Sequence, residues 1–275
     1  MTGLAGKVAF ITGVARGQGR SHALRLAEAG VDIIGVDIAE SIATVPYPLA
    51  TKDDLEETVR AVEAVGGQIL ARAVDVRDLA GLQTVTDDGV ARFGRLDIVI
   101  ANAGISGPAA TLEMSEQVWQ DMIDVNLTGV WKTLRAGVPH IVKGGRGGSV
   151  VLISSLAAVR ATENTAHYSA AKAGLVGLMR VLAKELAPQG IRVNTVHPTT
   201  VATEMVLNDS VYRLFRPELE NPGRADFEVA ARTMNRMDVP AIEVEDVTEV
   251  VMLLVSDGGR YITGSTQLVD AGGSL

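Results

Sequence analysis

Apolar residues along this chain come in short continuous runs, and most runs precede a segment with helical spacing. The runs fall at residues 7–11, 31–36, 69–74, 97–101, 149–154, 192–196 and 266–269. Each has strand length and is rich in Val and Ile. A strand with one face in water alternates apolar and polar residues, so continuous runs predict a sheet covered on both faces. Between the runs, residues 21–29, 52–65, 79–93, 115–142, 168–187 and 244–254 repeat apolar positions every three or four residues and predict helices. Gly30 provides a helix stop, and Thr51 with Asp54 three residues on forms a capping-box pattern. Alternating strands and helices require right-handed crossovers. The predicted fold is therefore α/β: one domain over residues 1–275, with a doubly wound sheet of about seven parallel strands flanked by helices.

Two segments break this rhythm. Residues 41–51, with Pro46-Tyr47-Pro48, lengthen the connection after the second strand. Residues 203–240 interrupt the alternation after the sixth strand and are expected to form a substrate-loop insertion, since long loops in a compact domain usually carry function. Repeats and low-complexity linkers are absent.

Composition narrows the classes. A chain of 275 residues, 47% hydrophobic, can bury one large core. A formal charge of -8 argues against a nucleic-acid partner, which needs clustered Lys and Arg. With no cysteine there is no disulfide and no thiolate metal site. His22, His140, His167 and His197 lack zinc-ligand spacing, so no metal is expected. The N-terminus does not read as a signal peptide, and the apolar runs are too short for a membrane span. A cytoplasmic protein without a membrane partner is the expectation.

The first candidate for chemistry is Thr12-Gly13-Val14-Ala15-Arg16-Gly17-Gln18-Gly19, between the first strand and the first helix. Glycines let the backbone turn tightly and approach a pyrophosphate, and the helix start offers free N–H groups and a positive dipole end. That context predicts a Rossmann-like dinucleotide site. Asp37 closes the second strand. A carboxylate there accepts both ribose hydroxyls and repels a 2′-phosphate, favouring NAD over NADP. The bland alternative is a solvated strand-end acid. Arg16 complicates the choice, because a basic residue in this turn can serve NADP, yet no second basic residue directly follows Asp37. Asp75, with the Val76 N–H beside it, can accept from an adenine amino group or simply cap a turn.

The second candidate is Tyr168 with Lys172. A separation of four puts both side chains on one helical face. Ser155 lies upstream, beyond a strand end, where ligands of such sheets bind. An alcohol oxidation needs a base for the hydroxyl proton. A free tyrosine, with pKa about 10, is a poor one at neutral pH; a nearby ammonium would favour the phenolate. Ser155 would hydrogen-bond the substrate oxygen. An isolated Tyr-x-x-x-Lys pair otherwise reads as an amphipathic helix with a snorkelling lysine.

Together these motifs resemble the short-chain dehydrogenase/reductase family over essentially the whole chain. The matching pieces are Thr12 to Gly19, Asn102-Ala103-Gly104, Asn126 in Asp-Val-Asn-Leu-Thr-Gly, Ser155, Tyr168-x-x-x-Lys172 and Val196-His197-Pro198. The resemblance implies a catalytic set of Asn126, Ser155, Tyr168 and Lys172. In it Tyr168 is the acid/base, Lys172 serves the ribose hydroxyls and the tyrosine, and Asn126 holds a relay water. It implies cofactor contacts from Gly13, Arg16, Gly17, Gln18, Gly19, Asp37, Asp75, Val76, Asn102, Gly104, Tyr168, Lys172, Pro198, Val201 and Thr203. The chain departs from the family pattern at Ala101, where a second Asn is usual, at Thr199, where a Gly is usual, and at Gln18, where an aliphatic residue is usual.

Gly17-Gln18-Gly19-Arg20-Ser21-His22 and the 41–51 extension resemble the carveol-dehydrogenase-like, mycofactocin-coupled branch. That resemblance implies tightly held NAD reoxidised in place by an external redox carrier. A Pro-Tyr-Pro loop next to Asp37 would fit this by folding over the adenosine end and slowing release; the bland alternative is a surface insertion with no kinetic role. Met205, Val206, Leu207, Tyr212, Leu214 and Phe215 point to a small hydrophobic alcohol or ketone, terpenoid or alicyclic; packing of a helical hairpin or a subunit contact explains them equally well. The family resemblance also implies a homotetramer. Two competing readings are an NADP-dependent carbonyl reductase, which Asp37 opposes, and a silent NAD-binding sensor, which predicts a broken catalytic set.

Overall fold

The protein, represented here by a computed structural model, is described over residues 2–275. Seven parallel strands form a single sheet: β1 (Val8–Thr12), β2 (Asp32–Asp37), β3 (Ile69–Ala73), β4 (Ile98–Ala101), β5 (Gly148–Ile153), β6 (Ile191–Pro198) and β7 (Thr266–Val269). Their order is β3-β2-β1-β4-β5-β6-β7. The chain winds outward from β1 in one direction, then restarts beside β1 with β4 and winds the other way. The resulting switch point lies at the carboxyl ends of β1 and β4, where such sheets bind ligands.

The helices are α1 (Gly17–Glu28), α2 (Lys52–Ala64), α3 (Leu79–Phe93), α4 (Glu116–Ile123), α5 (Gly129–Gly144), α6 (Ala166–Leu186), α7 (Asp209–Phe215), α8 (Arg224–Arg232) and α9 (Val244–Val255). Two apolar cores lie on opposite faces of the sheet, as continuous apolar strands require. Ala9, Ile11 and Ile33 pack with Leu26 of α1, Val62 of α2 and Val251 of α9. The alternate residues Val8, Phe10 and Ile34 pack with Leu82 of α3, Leu134 of α5 and Leu175 of α6. Phe10 is fully buried at the centre; truncating such a residue to alanine costs about 3–5 kcal/mol.

Several elements differ from expectation. Helix α1 begins at Gly17, four residues before the start predicted at residue 21. Its N-cap is Arg16, whose side chain makes no capping bond, so no capping residue marks the start in the sequence. The expected helix over 115–142 is continuous but not uniform: residues Asp124–Thr128 form a π-helical segment between α4 and α5. The predicted loop at 203–240 contains α7 and α8. Tyr212, Phe215 and Phe227 pack there as a small core of their own, with ring centroids 5.4 and 4.9 Å apart. The Thr51–Asp54 capping box is present in both directions.

Candidate active site

The glycine-rich turn is shaped by two constraints. Gly13 adopts φ +69°, and a Cβ there would sit 2.8 Å from the Ala103 Cα. A Cβ on Gly19 would lie 1.9 Å from the Gly13 carbonyl oxygen, so the first turn of α1 rests against the preceding loop as only glycine permits. Asn102, just beyond β4, closes the switch point: its side-chain amide donates to the carbonyls of Thr12 (3.0 Å) and Gly13 (3.1 Å). Arg20, to which the sequence reading gave no separate role, adds a brace. Its guanidinium donates to Ala15 O, to Asp54 O and to the Thr58 hydroxyl, tying the turn to α2.

Asp37 ends β2 and is 9% exposed. Its carboxylate accepts from the N–H groups of Ala15 (3.0 Å) and Ala39 (3.3 Å). Burial raises its pKa above the usual carboxylate value, and those backbone donors and the nearby Arg16 charge pull it back. Gly13, Arg16, Gly17, Gln18, Gly19, Asp37, Asp75, Val76, Asn102, Gly104 and Thr203 line one open cleft of about 880 Å³. Asp75 is engaged on its own turn, since its carboxylate accepts from the Arg77 N–H and guanidinium at 2.8 Å.

Residues 41–51 form the other side of this cleft, with Ile42, Tyr47, Leu49 and Ala50 on its wall. The segment is fastened at several points. The Arg16 guanidinium donates to Pro48 O at 2.6 Å, the Thr44 hydroxyl to Asp121 at 2.7 Å, and the Ser106 N–H to the Tyr47 hydroxyl at 3.2 Å. Tyr47 is 7% exposed, and burial pushes its phenol well above its ordinary pKa.

A second cleft, of about 950 Å³, lies beside the first and shares Gln18, Thr203 and Met205 with it. Ser155 and Tyr168 line it, with Pro198, Val201, Val206, Leu214 and Phe215. Tyr212 and Leu207 do not. Tyr212 is buried against Phe227, and Leu207 packs on the same small core, so hairpin packing accounts for those two. Ser155 opens a 3-10 turn over Leu156–Ala158. Burial raises the Tyr168 phenol, and the neighbouring Ser155 hydroxyl draws it partly back.

Lys172 is 3% exposed. Its Nζ donates to the Ile153 carbonyl at 2.8 Å and lies 5.7 Å from the Tyr168 ring centroid. Burial lowers its pKa to about 8. The expected lowering of the phenol by this ammonium is not seen in the chain alone: desolvation dominates both groups, and the only lowering influence on Tyr168 is Ser155. Asn126, fully buried in the π-helical segment, accepts from the Ile105 N–H at 3.1 Å and donates to Ile105 O at 2.9 Å. A Cβ on Gly104 would lie 2.7 Å from Asn126 Oδ1 and 3.4 Å from Lys172 Nζ. One loop after β4 thus brings Asn102, Gly104, Asn126 and Lys172 into a single neighbourhood.

Residues 7–211 match the model of the short chain dehydrogenase family. The chain belongs to the short-chain dehydrogenase/reductase family. A (-)-trans-carveol dehydrogenase from Rhodococcus erythropolis is 50% identical over the full length of both chains. Among solved structures, a carveol dehydrogenase from Mycobacterium avium in complex with NAD is 52% identical, with TM-score 0.96 over 98% of each chain. A short chain dehydrogenase from Mycobacterium paratuberculosis bound to NAD is 44% identical, with TM-score 0.90 over 98% of each chain. Within this short-chain dehydrogenase, Pro198 is the last residue of β6, and Val201 forms an isolated bridge with Ile242. Thr203, where the two clefts meet, donates its N–H to Val201 O at 2.8 Å. Among the described residues, no helix is long and apolar enough to cross a membrane.

Proposed function

We propose that the protein transfers hydride between NAD and a hydrophobic secondary alcohol or its ketone, of alicyclic and terpenoid type. The observation that carries this reading is the position of Ser155 and Tyr168 on a largely apolar cleft that opens onto the glycine-turn cleft at Gln18, Thr203 and Met205. The likeness to carveol dehydrogenases along the whole chain supports the alicyclic class.

The first cleft fits NAD. Gly13 and Gly19 leave room for close approach of a pyrophosphate, and α1 begins beside them. Each Asp37 oxygen accepts one N–H from the protein, which leaves lone pairs for ribose hydroxyls. The Arg16 guanidinium donates to Pro48 O, and the Asp37 carboxylate would repel a 2′-phosphate; this disfavours an NADP-dependent carbonyl reductase. Asp75 and Val76 would face the adenine, and Pro198, Val201 and Thr203 the nicotinamide end. When bound, NAD supplies the hydride acceptor and a positive ring that favours the phenolate.

The chain's own groups move the proton. Tyr168 takes it from the substrate hydroxyl while Ser155 holds the same oxygen and stabilises its developing charge. Lys172, whose pKa burial lowers to about 8, hands the proton onward, and Asn126 holds the water that carries it away. A non-catalytic sensor is disfavoured because all four side chains are present, and Ser155, Tyr168 and Lys172 lie together.

The fastened 41–51 segment supports slow release of NAD, with reoxidation in place by an external redox carrier. A homotetramer, on family resemblance, and a cytoplasmic location, on the sequence reading, complete the proposal. The test is native mass spectrometry of the purified protein for bound nucleotide, followed by an alcohol panel with an artificial electron acceptor. Stoichiometric NAD and turnover of alicyclic alcohols are expected; a nucleotide-free protein that uses added NAD freely would sink the retention claim, and inactivity toward every alcohol would sink the substrate class.

A further inference from the structure

We propose that His197 is a positioning residue for Ser155: its imidazole grips the serine's backbone carbonyl and so sets where the serine hydroxyl meets the substrate oxygen. The inference rests on the role given above to Ser155. His197 is fully buried in β6. Its Nδ1 lies 3.0 Å from Ser155 O and its Nε2 lies 2.8 Å from the Thr195 hydroxyl. A carbonyl can only accept, so Nδ1 carries the hydrogen. In the neutral ring Nε2 then has only a lone pair, and the Thr195 hydroxyl must donate to it. The contacts form a directed chain, Thr195 to His197 to Ser155, with one tautomer compatible with both ends. Burial keeps the ring neutral and the Lys172 charge adds to this, although the Ser155 carbonyl favours protonation.

The sheet explains why a side chain is needed there. The main-chain ladder between β5 and β6 runs to the Ser154 N–H, which donates to Val196 O at 2.8 Å. Its next donor on β6 would be Pro198, which has no N–H. Ser155 therefore stands one residue beyond the last ladder bond. Its hydroxyl accepts from the Ala157 N–H and its carbonyl from the Ala158 N–H, both at 3.1 Å. Those bonds shape the 3-10 turn but do not anchor it to the sheet. The His197 ring supplies that anchor from β6.

Three variants separate this role from simple core filling. An amide nitrogen in His197→Asn reaches the Nδ1 position and restores the grip on Ser155. In His197→Gln it reaches the Nε2 position and retains only Thr195. His197→Leu retains neither. Each is assayed with carveol and an artificial electron acceptor for kcat and KM, with NAD affinity and Tm measured alongside. The expected result is a kcat loss of about 10- to 100-fold for Gln and Leu, most of kcat retained by Asn, and NAD affinity within about twofold in all three. Equal activity in Asn and Gln overturns the proposal, as does a loss in which NAD affinity and Tm fall together with kcat. Should the Leu protein not fold, the Asn and Gln pair decides alone. Ser155→Ala in parallel separates the two claims. If it retains turnover, the Ser155 reading itself fails; if it is inactive while the His197→Gln protein is unimpaired, only the positioning claim fails.

Discussion

The Asp37 carboxylate accepts the Ala15 N–H at 3.0 Å, joining the end of β2 to the middle of the glycine-rich turn. One acid thus braces the turn and presents its free lone pairs to the same cleft. Asp37→Asn keeps the volume and one acceptor but loses the charge. Hydrogen bonds to a charged group are worth about 1.5–3 kcal/mol, so NAD affinity should fall roughly 10- to 100-fold, with the NAD-to-NADP preference falling alongside. Titrating both nucleotides by fluorescence quenching measures it; an unchanged preference would remove Asp37 from cofactor selection.

Gly19→Ala tests the turn itself. The new Cβ would overlap the Gly13 carbonyl oxygen, which is backbone and cannot swing aside. The variant should lose detectable NAD binding and several degrees of Tm. Wild-type affinity would show that the turn adapts.

Tyr168→Phe removes the phenol oxygen from the second cleft. General acid-base catalysis contributes about 10²- to 10⁴-fold, so turnover of an alicyclic alcohol should drop by that order with NAD affinity nearly unchanged. Single-turnover kinetics with bound NAD make the comparison; retained hydride transfer would reject Tyr168 as the base.

The strap over residues 41–51 predicts a kinetic effect. Tyr47→Phe removes the oxygen that accepts from Ser106, and Arg16→Ala removes the donor to Pro48. Both should accelerate NAD release by about tenfold or more, and the double variant further. Exchange against labelled NAD gives the rates; identical rates in all variants would make the strap a surface ornament.

Lys172 gives a pH signature. Its folded pKa of about 8 lies below the 10.5 of a free lysine. Below pH 8 both folded and unfolded chains carry the proton, and the folded state bears the cost of burying it. Between the two values the unfolded chain binds more protons, so stability rises with pH. From pH 8 to 9.5, with tyrosine ionisation still minor, wild type should gain about 1.5 kcal/mol relative to Lys172→Met. Urea unfolding of both proteins across that window measures the gain; parallel curves would place Lys172 in a more hydrated setting.

The sheet and the polar groups around it differ in how openly the sequence displays them. Continuous apolar runs located every strand to within about two residues, because burial on two faces leaves no other composition for them. The boundaries of α3 and β7 match the predicted spans. The start of α1 did not show, because a helix that opens with glycines and an uncapped Arg16 has no capping residue to announce it. Of the site, the turn glycines, Asp37, Ser155, Tyr168 and Lys172 were legible from spacing. Arg20 and His197 were not read as working parts of the site, and the Tyr47 loop was placed without its partners, since those partners lie far away in sequence and only the fold brings them together. Apolar residues of the 203–240 segment were divisible into cleft wall and hairpin core only once α7 and α8 were visible.

The π-helical segment at Asp124–Thr128 carries a consequence for how this site can be altered. A π turn holds one residue more than an α turn, and here the surplus falls around Asn126. Deleting a single residue from it would restore a regular helix and leave Leu134 and Ile141 of α5 near the core they fill, because the widened turn alone takes up the surplus. Point substitutions can change what Asn126 is but not where it stands. Its location is written as a count of residues, so reading-frame-preserving insertions and deletions, rather than exchanges of side chain, set the route by which this corner of the molecule can be gained or lost.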